Sequence, residues 1–355
     1  MTAFRRLGVA AALVALAAVS VFVGLASGSR HASPIVIGYA DPLGSEEGLR
    51  GVGWGEKQAI KGLHVNWKVL ELDDKLSADK QVSDIDSMIA QKVAGITSWT
   101  LDPGAADAAY KRARDAGIPV IGLNSTSKYF NSSVQGWTDA TCLVSQEQAK
   151  FIAQKIPHAK IFALGGPPVP SITLTTNCFL KAAKAAGLKI LAFQKTQQGS
   201  TTEGQQVTQS LLLKHPDVQA IWSFTEGLSL GVSATLKAQN KTVWSGNRKG
   251  IIVVARNGTS AAAQAIKTGN MTATWDNNQP LVGAAAVQLL KYLIVDKVAA
   301  NKLPTKVYIP SKRWDPSNIA SYKSPVSRPV SLPLPVNYSG LKAWCAKQTP
   351  KCVWG

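Results

Sequence analysis

Cysteine and histidine are both scarce in this chain, with four of each in 355 residues. Four Cys are too few for a disulfide-dense scaffold, and there is no CxxC pair or Cys/His cluster at metal-ligand spacing. The histidines (His31, His64, His158, His215) are scattered, and none pairs recognisably with a Ser or Cys nucleophile. No GxSxG elbow occurs. LGGPPVP at 164–170 lacks the GK[ST] ending of a phosphate-cradling loop and reads as a loop lining a cleft. The carboxylate pairs Asp73–Asp74 and Asp84/Asp86 read as solvated faces. The chain is therefore expected not to be an enzyme and to use no cofactor or metal, with an exported hydrolase as the remote alternative. Acidic residues are also short, 21 against 39 Lys and Arg, a net charge of +18. The 45% hydrophobic content and ten Trp exclude a disordered chain.

Long apolar runs are absent after residue 28 but present before it. Arg5 and Arg6 precede an apolar stretch from Leu7 to Leu25, followed by Ala26, Ser27, Gly28 and Ser29. This is the pattern of a secretory signal over residues 1–28, with an uncleaved anchor as the alternative. No Cys lies near its end, so the exported protein, periplasmic or extracellular, is not expected to be a lipoprotein. In an oxidising compartment four Cys suggest two bridges. Three pairings are open, and the preferred one joins Cys345 to Cys352 across a short loop and Cys142 to Cys178. Residues 302–355 hold nine Lys and Arg against Asp315 alone, spread among Pro and Ser. The basic C-terminal tail, 331–355, is expected to be extended and solvated, with no nucleic-acid partner.

Between these ends two periodicities alternate. IVIGY (35–39), VNWKVLEL (65–72), VAGITSW (93–99) and IPVIGL (118–123) read as strands. Helical spacing fills 47–61, 77–91 (with Ser77 as N-cap) and 105–117. A second series follows: helix 144–156, strand 159–164, helix 172–186, strand 188–194, helix 202–214, strand 218–224 and helix 227–238. Strand 251–255, a helix near 260–268, strand 271–275 and a long Ala-rich helix over 279–300 complete it. The fold class is α/β, two doubly wound parallel sheets with ligand space beyond the carboxyl ends of the strands.

The segments ADKQVSDIDSMIAQKVAGI, DAGIPVIGLN, HPDVQAIWSFTEGLSLGV, IIVVARNGT and GNMTATWDNNQPLVG stand in order across the chain. They resemble type I periplasmic solute-binding proteins, the ribose- and galactose-binding relatives that serve ABC importers. LacI-type effector domains share that fold but carry an N-terminal helix-turn-helix, which is absent here. The resemblance implies two Rossmann-like lobes joined by three hinge strands. The first lobe would take 34–137 plus 278–308 and the second 138–277 plus 309–330. It implies a monomer that closes on a small solute and is read by a membrane permease, with a chemoreceptor as the alternative partner.

Family ligand positions carry over residue by residue. The Asp after the GIPV strand becomes Asn124, followed by Ser125. The Asn of the NDE-like turn becomes Thr225, followed by Glu226, and the Asp of the GFDGT-like turn becomes Asn257. The hinge residue becomes Asn277, and the Asn closing the third strand becomes Trp99. Where the family places an Arg after the GPP loop, Thr173 and Thr175 stand instead. Asp41 and Glu46 fall in the loop after the first strand, where ligand contacts are common. Trp99 and Trp137 read equally as ligand-covering rings or core, whereas Trp222 and Trp275 read as core. Amides in place of both Asp residues make the expected pocket less ionic than a sugar pocket. A sugar, an aromatic, a polyol, a nucleoside or a quaternary amine all remain open.

Overall fold

A computed structural model describes residues 33–136 and 142–355. The expected signal segment (1–28) and Trp137 lie outside the described residues. Pro34–Gly355 form one compact unit.

In the first half, β1 (Ile35–Asp41), β2 (Trp67–Asp73), β3 (Ile96–Ser98) and β4 (Val120–Leu123) alternate with α1 (Glu47–Gly62), α2 (Ala78–Ala90) and α3 (Pro103–Asp115). Each helix starts at a side-chain cap: Glu46 accepts from Leu49 N, Ser77 from Lys80 N and Asp102 from Gly104 N. These satisfy donors that the first helical turn leaves without partners. β5 (Ser132–Gln135) extends the sheet, although its polar SSVQ sequence carries no strand signal. The second half repeats the plan with α4 (Leu143–Lys155), β6 (Lys160–Gly165), α5 (Pro170–Ala185), β7 (Lys189–Lys195) and α6 (Thr201–Lys214). It continues through β8 (Ala220–Ser223), α7 (Glu226–Ala238), β9 (Ile252–Asn257), α8 (Ser260–Lys267) and β10 (Ala273–Asp276).

The chain then returns to the first lobe as α9 (Gln279–Ile294) and β11 (Lys306–Tyr308), and to the second as β12 (Lys312–Trp314). The first sheet runs β11-β5-β4-β3-β1-β2 and the second β12-β10-β9-β8-β6-β7. All pairings are parallel except β10 with β12. The result is two parallel-dominated α/β lobes with three crossings, after β5, after β10 and between β11 and β12. The return helix packs on α1 with backbone nearly in contact: a Cβ on Gly55 would stand 1.8 Å from Pro280 O, and one on Gly283 2.1 Å from Val52 O. No other residue fits either position.

Both cystine bridges, Cys142–Cys178 and Cys345–Cys352, form in the preferred pairing. Trp222 and Trp275 are core: Trp222 stacks on Phe179 at 4.2 Å and Trp275 meets Phe151 edge-on at 5.4 Å. Among the described residues, no helix is long and apolar enough to cross a membrane.

Two expectations are corrected. The segment 331–355 is not an extended, solvated tail. Gln288 brackets Leu334, donating Nε2–H to its carbonyl at 2.7 Å and accepting its N–H at 2.9 Å. Tyr292 OH donates to Pro335 O, and Lys306 and Val353 exchange backbone hydrogen bonds. Leu334, Leu341 and Cys345 are buried, so a few apolar side chains hold the segment against the first lobe while its charges face outward. Nor are Asp74 and Asp84 solvated: both are buried, Asp74 accepting from Gln81 Nε2 at 2.6 Å and Asp84 pairing with Lys80.

Candidate functional site

The carboxyl ends of both sets of parallel strands face a cavity of about 650 Å³. The first lobe lines it with Pro42, Leu43 and Glu46 from the β1–α1 loop, with Trp99 and Leu101 beyond β3, and with Gln279 at the start of α9. The second lobe adds Ser171 after β6, Gln198–Thr201 after β7, Phe224–Glu226 after β8, and Asn257 with Thr259 after β9. Doubly wound sheets open their crevice in this place because helix N-termini and loops converge there.

Around the cavity, three side chains of the first lobe reach the second directly. Glu46 caps α1 through Oε2 and accepts Asn257 Nδ2–H through Oε1 at 3.4 Å. Trp99 is 8% exposed and donates Nε1–H to Ser171 Oγ at 3.3 Å. Glu47 accepts from Ser260 N at 2.8 Å and from Ser260 Oγ at 2.7 Å. The conformation is therefore a closed one.

Asn257 is the centre of the polar network. Its Nδ2 also reaches Thr225 Oγ1 at 3.1 Å, and its Oδ1 accepts from Asn277 Nδ2 at 3.1 Å. The backbone at Asn257 has φ 131°, a region that side chains other than glycine rarely occupy. That strain is held by Glu226, whose buried carboxylate accepts from Gly258 N at 2.7 Å and Thr259 N at 2.8 Å. It also accepts from the hydroxyls of Thr259 and Thr274. Burial pushes the Glu226 carboxyl up to about 8, against the hydrogen bonds from Thr259, Thr274 and Gly258. Glu226 thus organises the β9–α8 turn rather than offering a free carboxylate to the cavity.

Burial also raises Glu46, opposed chiefly by the Leu49 N–H. Glu47 goes the other way: burial pushes it up, but hydrogen bonds from Ser324 and Ser260 outweigh that and hold it below the usual glutamate value. Among the described residues no Lys or Arg lines the cavity, whereas Trp99 and Phe224 supply ring surface. Such a wall can cover an apolar face, accept hydrogen bonds from hydroxyls or attract a cation, but it offers an anion no cationic side chain.

Of the residues expected at the site, the cavity brings together Glu46, Trp99, Thr225, Glu226 and Asn257. Four others sit behind it. Asp41 is buried, holds Leu43 N at 3.0 Å and is pushed up to about 7 by burial. Asn124 donates Nδ2–H to Gln279 Oε1 at 3.2 Å and accepts Gly136 N–H at 2.6 Å, at the first crossing between lobes. Asn277 supports Asn257, and Thr175 is buried in α5. Sequence reasoning missed Phe224, Ser171, Glu47 and Gln279. Phe224 could have been found, since it ends the VQAIWSF strand one residue before the chosen Thr225.

Comparison with known proteins agrees with this geometry. The family profile described as "Periplasmic binding protein domain" matches residues 45–297. The ribose import binding protein of Bacillus subtilis (strain 168) is 27% identical over 248 residues, covering 66% of this chain and 72% of that protein. The D-apiose import binding protein of Actinobacillus succinogenes is 24% identical over 271 residues, covering 70% and 84%. Among solved structures, an ABC transporter periplasmic solute binding protein from Actinobacillus succinogenes 130z with bound D-allose superposes with a TM-score of 0.70. It is 22% identical and covers 82% of this chain and 100% of that one.

Proposed function

The chain belongs to the periplasmic binding protein domain family, and from that premise we propose that it captures one small, uncharged polyhydroxylated solute between its lobes and presents the closed form to an ABC importer. The observation that carries this reading is the shared cavity, lined from both lobes and bridged at Glu46–Asn257, Trp99–Ser171 and Glu47–Ser260. A ligand that touches both walls stabilises only the closed state, and closure is the signal a permease can read. The ribose and D-apiose import binding proteins among the relatives support a sugar or sugar-like solute. The apolar run at Leu7–Leu25 supports export ahead of capture.

The lining narrows the solute. Without a cation it disfavours sugar acids and phosphates, and with Trp99 and Phe224 it favours a ligand with an apolar face. Among uncharged or cationic solutes the sugar reading takes precedence because Asn257 and Thr225 offer amide and hydroxyl groups suited to ring hydroxyls.

Isothermal titration against aldopentoses, aldohexoses, inositols and alditols tests the proposal. One class should bind at micromolar affinity or better, with no turnover of the bound compound. Saturable binding of a sugar phosphate in preference to its parent sugar would overturn the lining argument. Absence of binding across all four classes would overturn the sugar reading.

A further inference from the structure

The end of the second lobe farthest from the cavity has a composition that solute capture does not require. In the parallel sheet the helices run opposite to the strands, so their C-termini gather at that pole. Lys155, Lys184, Lys214, Lys237 and Lys267 each stand in the last turn of one of the five helices α4 to α8. A cation in the last helical turn answers the helix carbonyls and needs no partner to explain it. The first residue of β7, Lys189, and the loop after α7, with Lys241, Arg248 and Lys249, add cations that this argument does not cover.

Across residues 142–277 there are 14 Lys and Arg against 5 Asp and Glu. Of those acids, Glu147, Glu203, Glu226 and Asp276 lie at the cavity end or the hinge. Among the described residues, Asp217 is the only carboxylate at the far pole, and it is already paired with Lys160.

The pole is also not purely polar. A groove of about 570 Å³ opens there, walled by Lys155, Lys241, Lys249, Pro216 and Trp244. Lys155 Nζ lies 5.2 Å from the Trp244 ring centroid. At the same pole Leu213, in the last turn of α6, is 84% exposed.

We propose that this pole docks on an anionic phospholipid surface, with headgroup phosphates among the lysines and Trp244 and Leu213 at the level of the headgroups. Lysines at an anionic leaflet contribute attraction that adds roughly per residue and fades within a Debye length. Indole rings and exposed leucines favour the interface between headgroup and hydrocarbon. The mixture selects a bilayer over a nucleic acid, because no helix presents a row of cations to a groove and the apolar groups stand among the charges. Docking by this pole leaves the cavity, at the opposite end of the lobe, free to open and close. It would confine capture to the plane of the membrane.

The test uses the compact unit Pro34–Gly355, which carries both lobes and omits the apolar N-terminal run. Its co-sedimentation is measured with vesicles of phosphatidylcholine alone and of phosphatidylcholine with 30% phosphatidylglycerol, at about 50 and 500 mM salt. Binding is expected only to the anionic vesicles and only at low salt. The triple variant Lys214→Gln, Lys241→Gln, Lys249→Gln should weaken it about a hundredfold, at roughly fivefold per cation, with unchanged thermal stability. A matched variant on the C-terminal segment, Lys342→Gln, Lys347→Gln, Lys351→Gln, removes the same charge elsewhere and should retain binding within a few-fold. Equal loss in the two variants would reduce the effect to net charge and overturn the proposal. So would equal binding to both vesicle types, or no vesicle binding alongside retention of duplex DNA at the same salt.

Discussion

Asn257 Nδ2 lies 3.4 Å from Glu46 Oε1, a contact between the carboxyl end of β9 in one lobe and the cap of α1 in the other. The same amide nitrogen faces Thr225 Oγ1 at 3.1 Å, so Asn257 couples the wall of the cavity to its closure. A solute hydroxyl entering this network exchanges one of these bonds for its own without leaving a buried donor unmatched.

Asn257→Gly separates the two roles of that position. It removes the amide and also releases the φ 131° strain that asparagine bears there. Solute affinity should fall at least tenfold by titration calorimetry, while the melting temperature stays level or rises. Unchanged affinity would place the solute away from β9.

Away from the cavity, Trp54 of the first lobe is tied to an ion pair within the second. Arg328 Nη1 meets Asp276 Oδ2 at 2.6 Å with the carboxylate fully buried, and Trp54 of α1 donates Nε1–H to Arg328 O at 2.9 Å. Trp314 Nε1 shares the same carboxylate oxygen at 3.1 Å. Arg328→Met should destabilise the protein by about 3–5 kcal/mol in denaturant titration, because it leaves a buried carboxylate without its cation. Arg328→Met with Asp276→Asn should recover much of that loss. If the double variant is as unstable as the sum of the single ones, the pair is not coupled.

Stability should fall as pH rises from about 5 to 8.5. Burial raises Asp41 to about 7 and Glu56, Asp74 and Glu226 to about 8, from ordinary values of 3.8 for Asp and 4.5 for Glu. A carboxyl with a raised folded value binds its proton more tightly when folded. Its contribution is complete below the unfolded value and lost as pH climbs through the folded one. Glu47, Asp73, Glu203 and Asp315 are lowered, so their contribution is lost only at more acid pH, below the ordinary values. Melting temperatures at pH 5.0, 6.5 and 8.5 should decline in that order. A rise across the series would show that the four acids are ionised in the folded state.

The doubly wound plan was legible because buried strands such as IPVIGL and IIVVA and amphipathic helices such as 77–91 carry opposite periodicities at short range. β5 was not legible, since SSVQ is polar and enters the sheet through the neighbours it finds there, with Ser132 Oγ donating to Pro304 O at 2.6 Å. The docked C-terminal segment was hidden for a similar reason. Leu334 stands in a run broken by proline, VSLPLPV at 330–336, Leu341 lies between Gly340 and Lys342, and Gln288, which holds the first of them, lies 46 residues away. At the cavity, turn motifs located Thr225, Glu226 and Asn257. They could not show that Glu226 spends its carboxylate on the Gly258 and Thr259 backbone, or that Asn124 spends its amide on Gln279 and Gly136.

The two cystines should differ in what they contribute. Cys142 and Cys178 are separated by 36 residues and tie the start of α4 to α5, whereas Cys345 and Cys352 are 7 apart and close a terminal loop. Loop-closure entropy gives about 4 kcal/mol for the longer loop and about 2.5 kcal/mol for the shorter. Removing the first pair as Cys142→Ala with Cys178→Ala should therefore lower stability more than Cys345→Ala with Cys352→Ala. It should also weaken solute binding, because α5 carries Ser171, the partner of Trp99 across the cavity. The second pair lies on the segment docked against the first lobe, and its loss should leave affinity within about twofold. Denaturant titration and calorimetry on both variants decide the point. An affinity loss from the terminal pair equal to that from the first would mean that the docked segment, and not α5, sets the geometry of closure.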